Sequence, residues 1–362
     1  MFRRYFWPVM LPVQLLALQV LACFPHLVER FYSNGFYPVL SSLLRLIFGW
    51  VPFSMGDVLY GLAILWIAVR IARRRKAFTW KGSAMAVLSG ISIFFLAFNL
   101  LWGLNYYRVR LPDKIGMNTD YSDEMLLRFT KKLIAQTNGL QVSITADSAQ
   151  KVIIPYSHRA IFDLNVRGYD KLSKRLDHFH YGEPSNKNSM ISLPLTYMGF
   201  GGYLNPFTHE SQVNSLLPMY SLPMTSAHEM AHQIGYASES EANFVGFLAA
   251  MENDDPYVRY SALTTALRYC LANWEARDPA MMVELLDRVN HGVRENFRES
   301  HDFWERYESF IETGFHLFYD NFLKINSQDE GLESYNRFVD LMLNYDQKYP
   351  FTEHGKVEAS PF

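Results

Sequence analysis

Cysteine is nearly absent from this sequence. Only Cys23 and Cys270 occur among 362 residues, and Cys23 lies in an apolar stretch near the N-terminus. Domains that depend on disulfides carry many more cysteines, and a cysteine-based zinc site needs several of them. The sequence therefore excludes both a disulfide framework and a zinc site built from cysteine.

An excess of charge of either sign is also missing. The 34 lysines and arginines nearly balance the 36 aspartates and glutamates, which leaves a formal net charge of −2. Proteins that bind nucleic acids usually carry a strongly basic surface, so we expect no nucleic-acid partner. Internal repeats are absent, and a hydrophobic content of 49% excludes a disordered chain.

Long hydrophobic runs are present, but only in the first third of the chain. They cover residues 7–24, 51–70 and 83–104. Each run is close to the roughly 18–20 residues that cross a hydrocarbon core. We therefore predict a transmembrane domain over residues 1–106, with three spans in a lipid bilayer.

Basic residues indicate how these spans are oriented. A cluster lies between the second and third runs and consists of Arg70, Arg73, Arg74, Arg75, Lys76 and Lys81. Such loops face the cytoplasm, and Arg3 and Arg4 place the N-terminus on the same side. After three crossings, the chain beyond residue 106 is expected on the outer side.

Two apolar segments allow other interpretations. The first run could be a cleaved signal peptide, because residues 20–23 resemble a lipoprotein cleavage box. The two spans that follow favour a retained span instead. The stretch 36–50 is apolar but too short to span and contains Arg45, which indicates an interfacial or re-entrant segment.

Residues 107–362 have the pattern of a mainly α domain. Ser122 is a candidate N-cap for a helix over 121–137. The segment 181–220 is rich in Gly, Pro, Asn and Ser and predicts loops with one or two short strands. Almost everything after Ser226 has helical periodicity. The expected fold is thus an α-rich domain with a small β element.

The most informative pattern is His228-Glu229-Met230-Ala231-His232. On a helix, two histidines four residues apart lie on one face and can bind one ion. The glutamate between them can take a proton from a bound water. Because apolar residues cover the rest of this helix, burying these three side chains would be costly without a metal. We predict Zn²⁺ bound by His228 and His232, with Glu229 as the general base.

A catalytic zinc ion usually has a third protein ligand. On one unbroken helix Glu239 would lie about 16 Å from His228 along the axis, so the chain must reverse between them. Gly235 is placed to end the first helix. Ser238 could then cap the next helix in a capping box with Glu241, which leaves Glu239 for the metal. Glu241 is the alternative ligand.

Further residues could support the reaction. Asn243 is placed to accept the second N–H of a ligating histidine, or it is a simple surface amide. The candidate transition-state donors are Tyr236, His316, Tyr319 and Tyr335. His209 is either a donor on the substrate side or an exposed loop residue. The segment 197–214 either supplies an edge strand for an extended peptide or forms an irregular loop.

Known motif families narrow the assignment. The metzincin pattern fails at its third ligand, where Ser238 stands, while the carboxylate ligand of the gluzincins fits better. The chain resembles more closely an uncharacterised bacterial family, domain of unknown function 3810. The shared segments are GLNYYR (103–108), NPFTHE (205–210), HEMAHQIGY (228–236), ESEANF (239–244) and GLESY (331–335). This resemblance implies a zincin-like peptidase of the bacterial cytoplasmic membrane and supplies no substrate.

Together these patterns predict an extracytoplasmic, membrane-anchored zinc metallopeptidase that acts on a peptide or protein substrate. The alternative is a non-catalytic, zinc-stabilised domain used for binding or sensing. Glu229 favours catalysis, since a purely structural site has no need of a general base. An intramembrane protease is disfavoured, because the motif lies more than a hundred residues beyond the last run. The oligomeric state is not predicted.

Overall fold

The computed structural model describes residues 2–74, 79–118, 120–325 and 337–351. The expected mainly α fold is confirmed in these ranges. The helices are α1 (Phe2–Ala22), α2 (Pro25–Leu27), α3 (Tyr37–Phe48), α4 (Met55–Arg74), α5 (Trp80–Leu101), α6 (Leu111–Ile115), α7 (Asp123–Thr145), α8 (His158–Arg175), α9 (Ser192–Tyr197), α10 (Leu222–Gln233), α11 (Glu239–Met251), α12 (Pro256–Arg277), α13 (Pro279–Asp287), α14 (His291–Tyr307), α15 (Phe310–Ile325) and α16 (Arg337–Lys348). A π-helix covers Val28–Phe36, and 3-10 helices cover Gly103–Tyr107 and Asp177–Phe179.

Three of these helices are long and apolar enough to cross a membrane. The candidate spans are Tyr5–Ala22, Met55–Arg73 and Trp80–Leu101. They match the three predicted apolar runs, with ends that differ by a few residues. The second span begins at Met55 because the carboxylate of Glu210 accepts hydrogen bonds from the N–H groups of Met55 and Gly56, at 3.2 and 2.6 Å. Such a carboxylate caps a helix start.

Helix α3 lies between the first two candidate spans, and its two faces differ in burial and polarity. Tyr37, Ser41 and Arg45 are buried along one face, four residues apart. The Tyr37 and Ser41 hydroxyls donate to the Gln233 carbonyl at 3.0 and 3.1 Å. The opposite face is apolar and exposed, as at Leu46. This amphipathic form suits the predicted interfacial segment, and its polar face packs on the end of α10.

The segment 181–220 contains a small sheet. Its strands are β1 (Asn186–Asn188), β2 (Gly202–Leu204) and β3 (Ser211–Val213), in the order β1-β3-β2. Strand β3 pairs in parallel with β1 and antiparallel with β2. Strand β2 is therefore an edge strand in the part of the chain that the structure describes, within the predicted segment 197–214.

Helices α10 and α11 cross at the centre of the larger domain. Every residue of α11 is buried; α8 and α12 pack against both helices, and α16 packs against α11. Side chains of neighbouring helices bind the backbone at the start of α10. The Met224 N–H donates to the Ser261 hydroxyl at 3.0 Å. The Asn165 amide donates to the Pro223 carbonyl at 2.8 Å. The metal-motif helix is thus fixed by contacts from α8 and α12.

A second buried cluster crosses the domain boundary predicted after residue 106. It joins residues before that point with Tyr107 and Ala237. The residues before it are Leu18, Val28, Tyr32, Tyr37, Phe98, Trp102 and Tyr106. The N-terminal third therefore shares a core with the chain around the metal motif.

Candidate metal centre

The structure brings the three predicted ligands together. The His228 and His232 Nε2 atoms are 3.1 Å apart, and Glu239 Oε2 lies 3.2 Å from the former and 3.7 Å from the latter. In a tetrahedral zinc site with bonds near 2.0–2.1 Å, neighbouring ligand atoms are about 3.4 Å apart. The observed spacing fits such an ion. Within the described part of the chain, this is the group of His, Cys, Asp and Glu side chains that could hold a metal.

The reversal predicted between the motif and Glu239 is present. Helix α10 ends at Gln233, and Gly235 has a φ of 89°, which favours glycine. Glu239 is the first residue of α11 and turns back toward the histidines. Ser238 precedes α11 at the predicted N-cap position, but the predicted capping box does not form, because the Ser238 side chain caps no N–H and contacts the Ser240 hydroxyl at 3.1 Å.

Glu241 has a different task from the predicted one. Its carboxylate accepts a hydrogen bond from the Leu111 N–H at 2.6 Å, so it holds the start of α6 instead of the start of its own helix. Burial raises the pKa of Glu241, and the nearby charges of Arg108 and Lys114 oppose that shift. The alternative ligand is therefore occupied away from the two histidines.

The orientation of the His232 ring is set by a backbone carbonyl in the turn that follows α10. Its Nδ1 lies 2.7 Å from the Tyr236 carbonyl, which can only accept a hydrogen bond. Nδ1 therefore carries the proton, and Nε2 is left for a metal. The Trp102 indole N–H donates to the His232 carbonyl at 3.3 Å and holds the same residue from the other side.

Asn243 does not contact a histidine ring. Its amide nitrogen donates to the Tyr269 hydroxyl at 3.5 Å. Among the described residues, His228 Nδ1 is buried without a hydrogen-bond partner. The role predicted for Asn243 was to accept the second N–H of a ligating histidine. The Tyr236 carbonyl has this role instead, and the histidine is His232.

The three candidate ligand side chains shift one another's pKa values. Burial opposes ionisation of Glu239, but the two histidines outweigh it and hold its pKa well below the usual value. Burial also opposes protonation of His232, yet the Glu239 carboxylate raises its pKa to about 9. Both shifts favour an ion pair between a protonated histidine and Glu239, and a metal cation would compete with that proton.

Glu229 lies beside the edge strand. Its side chain is buried, and its Oε2 has no hydrogen-bond partner among the described residues. Burial raises the pKa of Glu229 to about 7, and the two histidines oppose that shift. A Cβ added at Gly202 of β2 would lie 2.6 Å from Glu229 Oε1, so only glycine allows this approach. The carboxylate is thus available as a base next to β2.

A cleft of about 1080 Å³ contains this site. Its walls come from β2, α10, α12, α14, the first turns of α4 and the last turns of α5. Most lining side chains other than the site residues are apolar, among them Leu195, Phe200, Leu217, Met224 and Phe297. A site with a few polar groups in an apolar cleft is the usual form of a ligand site.

The predicted donors do not line this cleft where they are described. Tyr236 is buried behind the motif helix, with its ring 4.7 Å from the Arg108 guanidinium. His316 is exposed near Gly199 and lies 3.7 Å from Glu312. Tyr335 and the Tyr319 side chain lie outside the described residues. His209 is fully buried against the Tyr37 ring, so it is neither an exposed loop residue nor a donor to substrate.

Burial explains the state of His209. It lowers the pKa of this imidazole to about 3, helped by the positive charge of Arg45. The ring therefore stays neutral and acts as part of the packing between α3 and the loop before β3. The sequence prediction failed here because a loop position gave no sign that α3 would cover it.

Two tyrosines that sequence reasoning missed line the cleft near Glu239. Tyr106 follows the last candidate span, and Tyr269 lies on α12. Burial and the Glu239 carboxylate raise the pKa of both, that of Tyr269 to about 12. Both hydroxyls therefore stay protonated. Only tertiary packing brings them to the site, and the sequence carries no signal for it.

Known proteins give little information about the chemistry of this cleft. No curated protein and no solved structure matches the chain. One family model extends from the π-helix into α16 and includes the metal motif, Glu239 and the loop before β3. The resemblance inferred from the motifs is thereby confirmed. The chain belongs to the family described as protein of unknown function, DUF3810, whose model matches residues 32–343.

Proposed function

We propose that this chain is a membrane-anchored, zinc-dependent metallopeptidase with a zincin-like site. One observation carries the proposal: the three ligand atoms converge beside Glu229, whose buried carboxylate keeps an oxygen without a described partner. A structural metal site needs no such base, whereas hydrolysis does.

The residues suit peptide-bond hydrolysis. Zinc held by His228, His232 and Glu239 would supply a Lewis acid that lowers the pKa of water and polarises the scissile carbonyl. Glu229 takes a proton from the attacking water and passes it to the leaving amine. Strand β2 is an edge strand beside Glu229, and an extended peptide could add to it through backbone hydrogen bonds.

We propose Tyr269 as the transition-state donor in place of Tyr236. Tyr269 lines the cleft, and its raised pKa keeps the hydroxyl protonated at neutral pH. A protonated hydroxyl beside the ligands can donate to the oxyanion that forms during attack.

We propose that the larger domain lies outside the cytoplasm of a bacterium. Arg70 and Arg73 end the second candidate span and Lys81 begins the third, far from the span ends that meet the domain. A reporter that is active only outside the cytoplasm, fused after residue 351, should be active, whereas one fused after residue 74 should not. The reverse pattern would contradict this orientation.

Metal analysis with a cleavage assay tests the function. The full-length chain would be purified in detergent as wild type, Glu229→Gln and His228→Ala, and incubated with a broad peptide library read by mass spectrometry. We expect about one zinc per chain in the first two proteins and much less in the third. Cleavage should occur only in the wild type, with a loss in Glu229→Gln of at least about 100-fold.

A non-catalytic sensor is the second candidate, and a specific set of contacts favours it. Tyr37, Trp102 and Arg108 donate hydrogen bonds to the carbonyls of α10 and the turn after it, so the N-terminal third contacts the ligand helix directly. Zinc in wild type and Glu229→Gln without cleavage by either would support this function and contradict the peptidase. Absence of zinc from all three proteins would remove both.

A further inference from the structure

We propose that the natural substrate is the membrane-adjacent segment of a membrane-anchored polypeptide. In this view the segment enters the cleft where its walls pass from the larger domain to α4 and α5. The inference rests on the proposed peptidase function and names the substrate class of the same site.

The metal centre lies next to the end of a candidate span. Helix α5 ends at Leu101, and the next residue, Trp102, has its ring 6.0 Å from the ring of His232. More than a hundred residues separate them in sequence, but the fold brings them into contact. A ligand of the metal is therefore within about one side-chain length of the membrane boundary.

The cleft continues onto the spans themselves. Tyr60 lies five residues into α4, and Phe98 lies three residues before the end of α5; both line the cleft. At 1.5 Å per residue these positions are about 7.5 and 4.5 Å from the helix ends. A hydrocarbon core is about 30 Å thick, so the lining reaches only the outermost turns of the spans. The cleft therefore opens at the level of the bilayer surface.

The domain surface around this opening is apolar. Phe53, Met190 and Leu193 have exposed fractions of 47%, 62% and 50%, and Met190 donates its N–H to Asp57 at the start of α4. Exposed apolar side chains clustered at the end of a span are typical of a surface that rests on lipid. A chain leaving the bilayer reaches the cleft across this surface.

The edge strand is attached to the same span. The Tyr203 hydroxyl of β2 donates to the Asp57 carboxylate, and the Tyr203 ring stacks on Tyr60 at 6.4 Å between centroids. Phe207, in the loop after β2, contacts Phe94 of α5 at 5.5 Å. The strand that would pair with a substrate is thus held at the outer ends of α4 and α5.

These contacts set which part of a substrate the site can reach. A peptide added to β2 lies beside the bilayer surface along its length, since β2 itself is fixed there. An extended chain covers about 3.3 Å per residue, so the residues in register with Glu229 lie within about ten residues of the substrate's own span. Segments far from the membrane are not favoured.

The test uses the full-length chain in lipid nanodiscs with a co-reconstituted substrate. The substrate has one hydrophobic span followed by a random-sequence segment of about 60 residues, long enough to extend far beyond the domain. A second pool has the same segments without the span. Mass spectrometry maps the cut positions, and Glu229→Gln sets the background.

We expect cuts concentrated in the first ten or so residues after the span, and cleavage of the tethered pool about 100-fold faster than of the soluble pool. Tethering raises the local concentration of the whole segment, so the cut positions, compared within one molecule, provide the control. Cuts spread evenly along the segment, or equal rates for both pools, would overturn this inference and leave the peptidase intact. No cleavage in any arm would overturn the peptidase and this inference together.

A pair of variants tests the route. Tyr60→Arg places a charge in the cleft at the end of α4, whereas Leu59→Arg places it at nearly the same depth on a residue that does not line the cleft. We expect Tyr60→Arg to slow cleavage of the tethered pool about tenfold by raising KM, with zinc retained, while Leu59→Arg has little effect. Equal effects of the two substitutions would contradict entry along α4.

Discussion

The Glu229 carboxylate occupies space that a side chain at position 202 would fill. A Cβ at position 202 would meet Glu229 Oε1 at 2.6 Å and the Gln212 carbonyl at 2.7 Å, and the second of these is backbone that cannot rotate away. Because Gly202 has no side chain, the Glu229 carboxylate can lie directly against strand β2.

We predict that Gly202→Ala lowers kcat/KM about 100-fold with zinc still bound, because the base or the strand must shift by a fraction of an ångström. Gly201→Ala is the matched control. A Cβ there would meet the Thr225 methyl at 3.2 Å, which a side-chain movement can relieve. Steady-state kinetics and metal content on both variants check the prediction. Equal activity of the two would show that the contact has no role.

Tyr269→Phe tests the proposed donor. Loss of one oxyanion donor typically lowers kcat by about 100-fold or more, so we expect that change with little effect on KM or bound zinc. Tyr236→Phe is the comparison, because its hydroxyl is buried away from the cleft. A larger loss of activity in Tyr236→Phe than in Tyr269→Phe would favour Tyr236, one of the four donors considered from the sequence.

The sequence was sufficient to predict that His228, His232 and Glu239 come together, and insufficient to predict the groups that contact them. His228, His232 and Glu239 follow from helix geometry and from one glycine, which are local properties. Tyr269 reaches the site from a different helix, and the hydrogen bond to His232 comes from a backbone carbonyl that every sequence contains. Groups of this kind are placed by tertiary packing and have no local pattern.

Glu210 is one of two buried carboxylates, with Asp57, that join helix α4 to the sheet. Glu210 is fully buried, caps the first turn of α4 and pairs with Lys187 of β1. The Lys187 ammonium also donates to the Phe48 and Phe53 carbonyls at 2.8 and 3.0 Å. The start of a candidate span and the strand order of the sheet therefore depend on the same ion pair.

We predict that Glu210→Ala destabilises the protein by about 3–5 kcal/mol, because it leaves the Lys187 charge buried and two helix N–H groups without an acceptor. Thermal unfolding of the full-length chain in detergent would show it as a lower Tm. Glu284→Ala removes an exposed pair with Arg288 and should change the Tm little. Similar midpoints for the two variants would contradict a structural role for Glu210.

The sequence predicted the existence of α3 and β2 better than their partners. Apolar length identified 36–50 as a segment too short to span, and glycine content identified the loops around β2. That α3 covers the end of α10, and that β2 is attached to α4 through Asp57, could not be read from periodicity. Periodicity predicts which face of a helix or strand is apolar, but it does not predict which element packs against that face.

The chain as a whole does not divide cleanly at residue 106. The Tyr37, Ser41 and Trp102 side chains bind carbonyl groups at the end of α10, and that helix carries both histidine ligands. The N-terminal third thus supports the candidate metal centre and also contains the three candidate spans. The contact between residues 102 and 232 joins positions that are 130 residues apart, so the sequence gives no sign of it.

We predict that a fragment beginning at residue 107 binds zinc poorly and unfolds at a lower temperature than the full chain, because the His232 and Gln233 carbonyls lose their side-chain donors. A chain lacking residues 2–22 is the control, since α1 packs mainly on α5 and leaves those donors in place. Metal content and thermal unfolding in the same detergent would check this. A fragment that binds zinc as well as the full chain would show that the two parts fold independently.

Trp102 has an optical consequence. Its indole is one of seven in the chain, and its ring lies 6.0 Å from the ring of His232, a proposed zinc ligand. Replacing zinc with cobalt or copper should quench the emission of this indole more than that of the others, and a Trp102→Phe chain would isolate its signal by difference. The end of the third candidate span therefore contains a built-in fluorophore that reports metal loading without any label.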